Sequence, residues 1–215
     1  MATQKPTSEL SGNRQAAFSA RNRARLVKAA QEILAEVGPS ATLEQIASYA
    51  EVSPTTIYKY FENKEQLFAV ALNESWVGFL AWAYSQNIAG DRLEQVLDSG
   101  RKLFWARQTH PLFAKILHNC LNALPDIIFV TDKDGGKKVF SELAKSGEIE
   151  LEDFEKRYLM WTHIYLGLLK SIFVTEEILP SEAEIAFGIG LSVWGINEAK
   201  AKKLISRPLE LTQVK

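Results

Sequence analysis

Apolar residues recur with helical spacing from Leu43 to Ala50, and a second such pattern starts a few residues later. The first set lies at i, i+3, i+4 and i+7, which places it on one face of a helix that Thr42 can cap. Ser53 followed by Pro54 is a second helix start, because a serine side chain can accept from a free N–H and proline fits the first helical position. The pattern therefore predicts two short helices joined by a tight turn, with a third helix starting at Lys64.

The second of these helices carries an unusual outward face. Ile57 and Phe61 fall on its apolar side, so Thr55 and Lys59 point the opposite way, flanked by Thr56, Tyr58 and Tyr60. A solvated helix favours Glu, Lys and Gln, whereas threonine methyls, hydroxyls, phenols and an ammonium suit the bases and phosphates of a DNA groove. The alternative is a helix-turn-helix pattern that arises by chance in a helical protein.

The spaced residues from Thr42 through Pro54 and Phe61 to Leu67 resemble the N-terminal domain of the TetR family of bacterial transcriptional regulators. The resemblance covers roughly residues 21 to 72 and implies that the recognition helix runs from Pro54 to Phe61. Glu51 departs from the family, which usually has glycine in this turn. Either the turn geometry differs slightly here, or a left-handed backbone at Glu51 is tolerated at a cost of about 1 kcal/mol. The DNA-binding residues that we expect from pattern and resemblance are Thr42, Ser53, Pro54, Thr55, Thr56, Tyr58, Lys59, Tyr60 and Lys64, with Thr42 and Lys64 contacting phosphates.

The rest of the chain shows helical periodicity and no alternating strand pattern, so we expect an all-α fold. It should consist of an N-terminal three-helix helix-turn-helix domain and a C-terminal helical ligand-binding and dimerisation domain. The expected divisions are a disordered basic arm at 1–20, the DNA-binding domain at 21–68 and the effector-binding and dimerisation domain at 69–205. The predicted helices are 21–37, 64–86, 93 to a break at 110–111, 112–124, 127–146 interrupted near two glycines, 151–176, and 181–203, the last opened by a capping box of Ser181 and Glu184.

The 64–86 helix should link the two domains, because its first turn belongs to one and its remainder to the other. Two later helices are apolar on more than one side and are expected to pair across a two-fold axis as a four-helix bundle, which the resemblance also implies. Ordinary core helices of a monomer are the alternative. The residues concerned are Trp161, Ile164, Tyr165, Leu168, Leu169 and Ile172 on one helix, and Ile185, Ile189, Val193 and Ile196 with Gly188, Gly190 and Gly195 on the other.

Composition narrows the function further. The chain has 215 residues, a net charge of −1 and one cysteine, which suits a single-chain core without disulfides in a reducing cytoplasm. Five basic residues between positions 14 and 28 form a local basic patch, and no segment is long and apolar enough to predict a membrane span. The resemblance implies an effector pocket, for which an apolar or aromatic ligand is favoured because charges are scarce at inward positions. The predicted ligand-binding residues are Phe79, Trp82, Phe104, Phe113, Leu117, Trp161 and Tyr165.

Catalytic and metal-binding functions find no support in the sequence. The three histidines and Cys120 lack the spacing of a ligand set, and the Asp132–Gly136 segment lacks the ligands of a calcium loop. No enzyme motif and no cofactor are predicted. The leading hypothesis is a homodimeric repressor that binds palindromic double-stranded DNA and is released by a small molecule; the rival is a helical small-molecule or protein-binding module in which DNA binding is secondary.

Overall fold

The computed structural model describes residues 7–86, 90–121 and 135–212, and within these ranges the fold is all-α, with no strand. Short 3-10 helices are formed by Gly38–Ser40 and by Leu191–Trp194. The α-helices are α1 (Thr7–Glu36), α2 (Leu43–Tyr49), α3 (Pro54–Ile57), α4 (Lys64–Ser85), α5 (Arg92–Phe104), α6 (Ala106–Thr109), α7 (Pro111–Cys120), α8 (Gly135–Lys145), α9 (Phe154–Phe173), α10 (Pro180–Gly190) and α11 (Glu198–Ile205).

Buried hydrophobic side chains form two clusters. The first contains residues of α1, α2, α3 and the N-terminal half of α4, together with Ile116 and Cys120 of α7. The second is built from the C-terminal half of α4 and from α5 through α11. Both α4 and α7 therefore contribute to both clusters.

The prediction of a disordered arm at 1–20 is wrong for residues 7–20, which belong to α1. Ala16, Ala17 and Ala20 are strong helix formers, and the packed half of α1 provides a nucleus from which the helix extends outward. Leu26, Val27 and Leu34 are buried, whereas residues 14–21 are exposed. Arg14 and Arg21, the basic residues of this exposed stretch, are therefore displayed on a helix.

The middle of the chain breaks earlier than predicted. Helix α5 ends at Phe104, and the short α6 precedes the break at His110. Helix α7 begins at Pro111 and ends at Cys120, while the predicted extension to Leu124 lies outside the described residues. Helix α8 is uninterrupted from Gly135, and the preceding part of the predicted 127–146 helix is likewise outside the described ranges.

The prediction of one helix from Ser181 to about Lys203 is also wrong. Helix α10 ends at Gly190, and Gly195 then adopts a φ of 72°, a left-handed conformation that ends helical structure before α11. The predicted capping box fails because the Glu182 carboxylate, at 2.7 Å, accepts from the backbone N–H of Leu179. The Glu184 side chain instead binds residues of α5 and the turn after it.

Candidate DNA interface and effector cavity

Helix α2 is fixed at its start by a reciprocal pair of hydrogen bonds. The Thr42 hydroxyl accepts from the Gln45 N–H at 3.3 Å, and the Gln45 side-chain oxygen accepts from the Thr42 N–H at 2.8 Å. These bonds satisfy backbone donors that a helix terminus otherwise leaves free. The predicted cap is confirmed, and it leaves the Thr42 side chain on the surface.

Helix α3 is shorter than the predicted Pro54–Phe61 helix. Regular structure ends at Ile57, although turn hydrogen bonds continue from Lys59 N to Thr56 O and from Phe61 N to Ile57 O, at 3.2 and 3.0 Å. Ser53 does not cap the helix: its hydroxyl contacts the hydroxyls of Thr55 and Thr56 at 2.8 and 2.9 Å. The hydroxyl groups at the start of α3 therefore bind one another.

The predicted DNA-binding residues share the helix-turn-helix surface to different degrees. Tyr60 is half-buried and packs against the first cluster. Its hydroxyl accepts a hydrogen bond from the Asn22 side-chain amide at 3.3 Å, so the prediction that this side chain points outward was wrong. Thr56 and Lys64 are also half-buried. The exposed members are Thr42, Ser53, Pro54, Thr55, Tyr58 and Lys59, with Tyr58 59% exposed.

Two basic side chains have structural contacts that the sequence pattern did not reveal. The Lys64 ammonium donates to the carbonyl oxygens of Ala41 and Pro39 at 3.2 and 3.4 Å and lies 5.4 Å from the centroid of the Phe68 ring. The Arg25 guanidinium donates to the Ala50 carbonyl at 2.6 Å. Together they hold the segments that precede and follow α2.

Glu51 adopts a left-handed conformation with a φ of 54°, so this turn keeps that geometry although it carries no glycine. A side chain in this region is strained, and glycine removes the strain at the cost of a more flexible unfolded chain. We predict that Glu51→Gly raises the free energy of unfolding by about 0.5–1 kcal/mol in urea titrations. Glu65→Gly, at an exposed position inside α4, should lower it by a similar amount; destabilisation by both substitutions would contradict the strain at Glu51.

A cavity of about 780 Å³ lies among α4, α5, α8, α9 and α10. Of the seven predicted ligand-binding residues, Phe79, Trp161 and Tyr165 line it. The other four do not: Phe104, Phe113 and Leu117 pack elsewhere in the second cluster, and the Trp82 ring packs edge-to-face against His110. The sequence pattern missed most of the wall, which includes Trp76, Leu80, Val96, Leu97, Leu103, Val139, Phe140, Tyr158, Leu166 and Phe187.

Helix α7 provides a second connection between the two clusters besides the predicted connection through α4. Its Ile116 is buried in the first cluster and its Leu117 in the second. The Asn119 amide also donates to the carbonyl oxygens of Ala35 and Leu34, at 2.8 and 3.4 Å, near the end of α1. A shift of α7 would therefore move the end of α1.

The histidines and the cysteine have structural environments. His118 and His163 each place Nδ1 within hydrogen-bond distance of a backbone carbonyl. Burial lowers the pKa of His110, whose ring packs edge-to-face against two aromatic rings. Burial raises the pKa of the Cys120 thiol to about 12. Within the described ranges, no group of three or more metal-ligating side chains is present, and no helix is long and apolar enough to cross a bilayer.

The predicted dimerisation helices contribute both core and surface. Gly188 and Gly190 allow close packing within the chain, against Ile205 and Ile164 respectively. This packing accounts for both glycines without the predicted contact between subunits. Ile196 is buried. Of the predicted set, Ile185 at 60% and Ile189 at 72% are exposed on α10, and Met160 at 56% and Gly167 are exposed on α9.

The chain is similar in fold to several solved structures. RolR bound to its ligand resorcinol superposes with a TM-score of 0.69 at 20% identity, over 92% of this chain and all of the other. A TetR-family regulator from Syntrophomonas wolfei gives 0.63 at 14% identity over 83% and 97% of the two chains. SmeT, the repressor of the multidrug efflux pump SmeDEF of Stenotrophomonas maltophilia, gives 0.62 at 18% identity over 80% and 89%.

These similarities show a shared all-α fold, in which α2 and α3 form a helix-turn-helix. Residues 26–71 match the family model of bacterial regulatory proteins of the tetR family. These residues therefore form a DNA-binding domain of the tetR family. A comparison with curated protein sequences gave no significant match.

Proposed function

We propose that the protein is a homodimeric repressor that leaves its operator when a small apolar or aromatic molecule fills the cavity. The main support is that α4 contributes Leu67 and Phe68 to the first cluster, while its Trp76, Phe79 and Leu80 line the cavity. Residues 21–68 are the proposed DNA-binding domain and 69–205 the effector and dimerisation domain. The proposal is supported by analogy with RolR, which was crystallised with the aromatic ligand resorcinol, and with SmeT, which is a repressor.

The operator should be a palindrome. A two-fold dimer presents its two recognition helices to one face of the duplex, so half-site centres should lie about 34–36 Å apart or at a multiple of that spacing. Selection of binding sites from random DNA with the full-length protein, followed by footprinting, tests this. Recovery of asymmetric single sites alone would oppose the dimer.

Two lysines at the proposed interface provide a matched prediction. Lys59 is exposed at the end of α3, whereas Lys64 is bonded to the loop before α2. Lys59→Ala should weaken operator binding by about 1–3 kcal/mol and relax the preference at one position, with an unchanged melting temperature. Lys64→Ala should weaken binding to all DNA sequences alike and lower the slope of log affinity against log salt concentration by about one unit, because one phosphate contact is lost. It should also lower the melting temperature, because two backbone carbonyls lose their donor.

Fluorescence-anisotropy titrations at several salt concentrations, paired with thermal melts, distinguish these effects. The ammonium of Lys64 has three N–H donors, of which two are directed at backbone oxygens, so one remains for a phosphate. Unchanged operator affinity in Lys59→Ala, Thr55→Ala and Tyr58→Phe would show that α3 does not enter the groove.

Release from the operator should work through α4. A ligand against Trp76 or Phe79 can shift the helix, and its first turn supports α2 and α3, so the spacing between the two recognition helices of a dimer changes. The coupling is reciprocal, and operator DNA must weaken ligand binding by the same factor, typically about 5- to 150-fold. Ligands that bind the cavity tightly but leave operator affinity unchanged would refute this control. Because its target is operator DNA, we place the protein in the cytoplasm.

A further inference from the structure

Helix α1 extends in the N-terminal direction well beyond the part that packs in the first cluster. The side chains of residues 14–21 are all exposed, and burial begins at Leu26. At a rise of about 1.5 Å per residue, Arg14 lies about 16 Å along the helix axis from Arg25. The outer part of α1 therefore presents a helical surface that the fold itself does not cover.

Four basic residues share one face of this helix. Arg14, Arg21, Arg25 and Lys28 follow one another at intervals of seven, four and three residues, and all four are exposed. Because an α-helix turns by about 100° per residue, these intervals place the four side chains within an arc of about 60°. No acidic residue occurs from position 11 to position 31. The four residues therefore form a continuous basic stripe.

The basic stripe borders the helix-turn-helix. The Arg25 guanidinium donates to the Ala50 carbonyl at 2.6 Å, at the end of α2. Three residues earlier, the Asn22 side-chain amide donates to the Tyr60 hydroxyl at 3.3 Å, just after α3. These two bonds fix α1 beside the turn that positions α3, so the stripe begins next to the proposed DNA interface and runs outward from it.

Contacts within the chain account for a neighbouring arginine but not for the outer part of the stripe. Arg23 points to the opposite side of α1, where it lies 3.4 Å from the Glu74 carboxylate and 5.3 Å from the centroid of the Phe61 ring. Among the residues that the structure describes, Arg14 and Arg21 have no hydrogen-bond or ion-pair partner. Their charges contribute little to the fold and suit an anionic partner outside the chain.

We propose that the outer part of α1 binds phosphates of duplex DNA beside the half-site that α3 reads. This inference rests on the proposed binding of operator DNA. A DNA backbone is a row of regularly spaced negative charges, and arginines on one helix face supply matching cations. A membrane surface fits less well, because a helix that lies on lipid needs a broad apolar face, and Phe18 is the only large apolar side chain from position 11 to position 25.

The test uses the full-length protein and two duplexes. One carries the operator recovered by selection from random DNA with flanks of about 10 base pairs, which exceed the reach of Arg14, and the other is the same operator without flanks. In anisotropy titrations at about 0.1 M salt, the native protein should bind the flanked duplex about 10-fold more tightly, because the short duplex lacks the outer phosphates.

The double variant Arg14→Ala/Arg21→Ala should reduce this preference for the flanked duplex to about 3-fold or less. On that duplex, the slope of log affinity against log salt concentration should fall by about two units per subunit, because two phosphate contacts are lost. Arg14→Lys/Arg21→Lys should keep most of the preference, because it keeps both charges. Alanine is the strongest helix former, so α1 should stay helical, which thermal melts followed by circular dichroism check.

Lys200→Ala/Lys203→Ala is the matched control, because it removes the same charge from exposed positions of α11. It should leave the preference and the slope unchanged, and an equal loss in the control would overturn the inference by reducing it to net charge. An unchanged preference and slope in the Arg14→Ala/Arg21→Ala variant would overturn it while leaving DNA reading by α3 intact. Loss of dimers by this variant in sedimentation velocity would assign the stripe to a second copy instead. Failure of the native protein to bind any duplex would overturn both this inference and the proposed function.

Discussion

Arg101→Leu should lower the free energy of unfolding by about 3–5 kcal/mol, because it removes the cation from a buried ion cluster. The Arg101 side chain is only 3% exposed and binds the carboxylates of Asp98 and Glu184 at 3.0 and 2.7 Å. It also donates to the carbonyl oxygens of Ile205 and Arg207 at 2.6 and 3.1 Å. Loss of the guanidinium leaves two carboxylates and several carbonyls short of a donor, in a place that water reaches poorly.

Arg92→Leu on the same helix is the matched control. Arg92 forms an ion pair with Glu142, but both side chains are substantially exposed, so the cost should be at most about 1 kcal/mol. Urea titrations measure both variants, and Arg101→Lys, which keeps the charge, provides an intermediate if the leucine variant does not accumulate. An Arg101→Leu variant within about 1 kcal/mol of the native protein would show that the cluster contributes little.

The ion cluster also contradicts the sequence-based expectation that charges are scarce at inward positions. Asp98, Arg101 and Lys102 are all buried on α5. The partners of Arg101 include Glu184 and backbone groups 83 to 106 residues away in the chain, and helical periodicity contains no information about such contacts. The sequence could locate α5 but could not reveal that its polar face meets α10 and the segment after α11.

The helix-turn-helix was predictable because its signals are local. The spacing of apolar residues in α2, the cap at Thr42 and the proline that opens α3 act within a few residues of one another. The failures there involve competing partners: Ser53 bonds neighbouring hydroxyls rather than the helix terminus, and Lys64 bonds the loop before α2. Choices between near-equivalent hydrogen-bond partners depend on the folded arrangement.

The cavity was less predictable because the same aromatic residues can fill a core or line a space. The rings of Phe79 and Phe113 are in contact, with centroids 5.4 Å apart, yet Phe79 lines the cavity and Phe113 does not. Which ring faces the empty volume is decided by the relative placement of α4, α5 and α9, which comes from long-range packing. The sequence therefore indicated the composition of the wall but identified only three of the residues that form it.

Ile189→Asp should abolish tight binding to a palindromic operator while leaving the fold intact. Ile189 is 72% exposed on α10, close along the helix to Ile185, so an aspartate there costs the isolated chain little. In the proposed dimer the same position becomes buried against a second copy, where two unpaired carboxylates are strongly unfavourable. Without the dimer, each chain binds a single half-site, and the apparent operator affinity should fall about 100-fold or more.

Sedimentation velocity, thermal melts and operator titrations on the same preparation separate the possible results. Ile189→Asp is expected to give a folded monomer that unfolds cooperatively and binds weakly to one half-site. Leu151→Asp, at a residue 51% exposed just before α9, is the control and should leave both assembly and operator affinity unchanged. If Ile189→Asp remained a dimer with full operator affinity, the two-fold axis would have to lie elsewhere than on the outer face of α9 and α10.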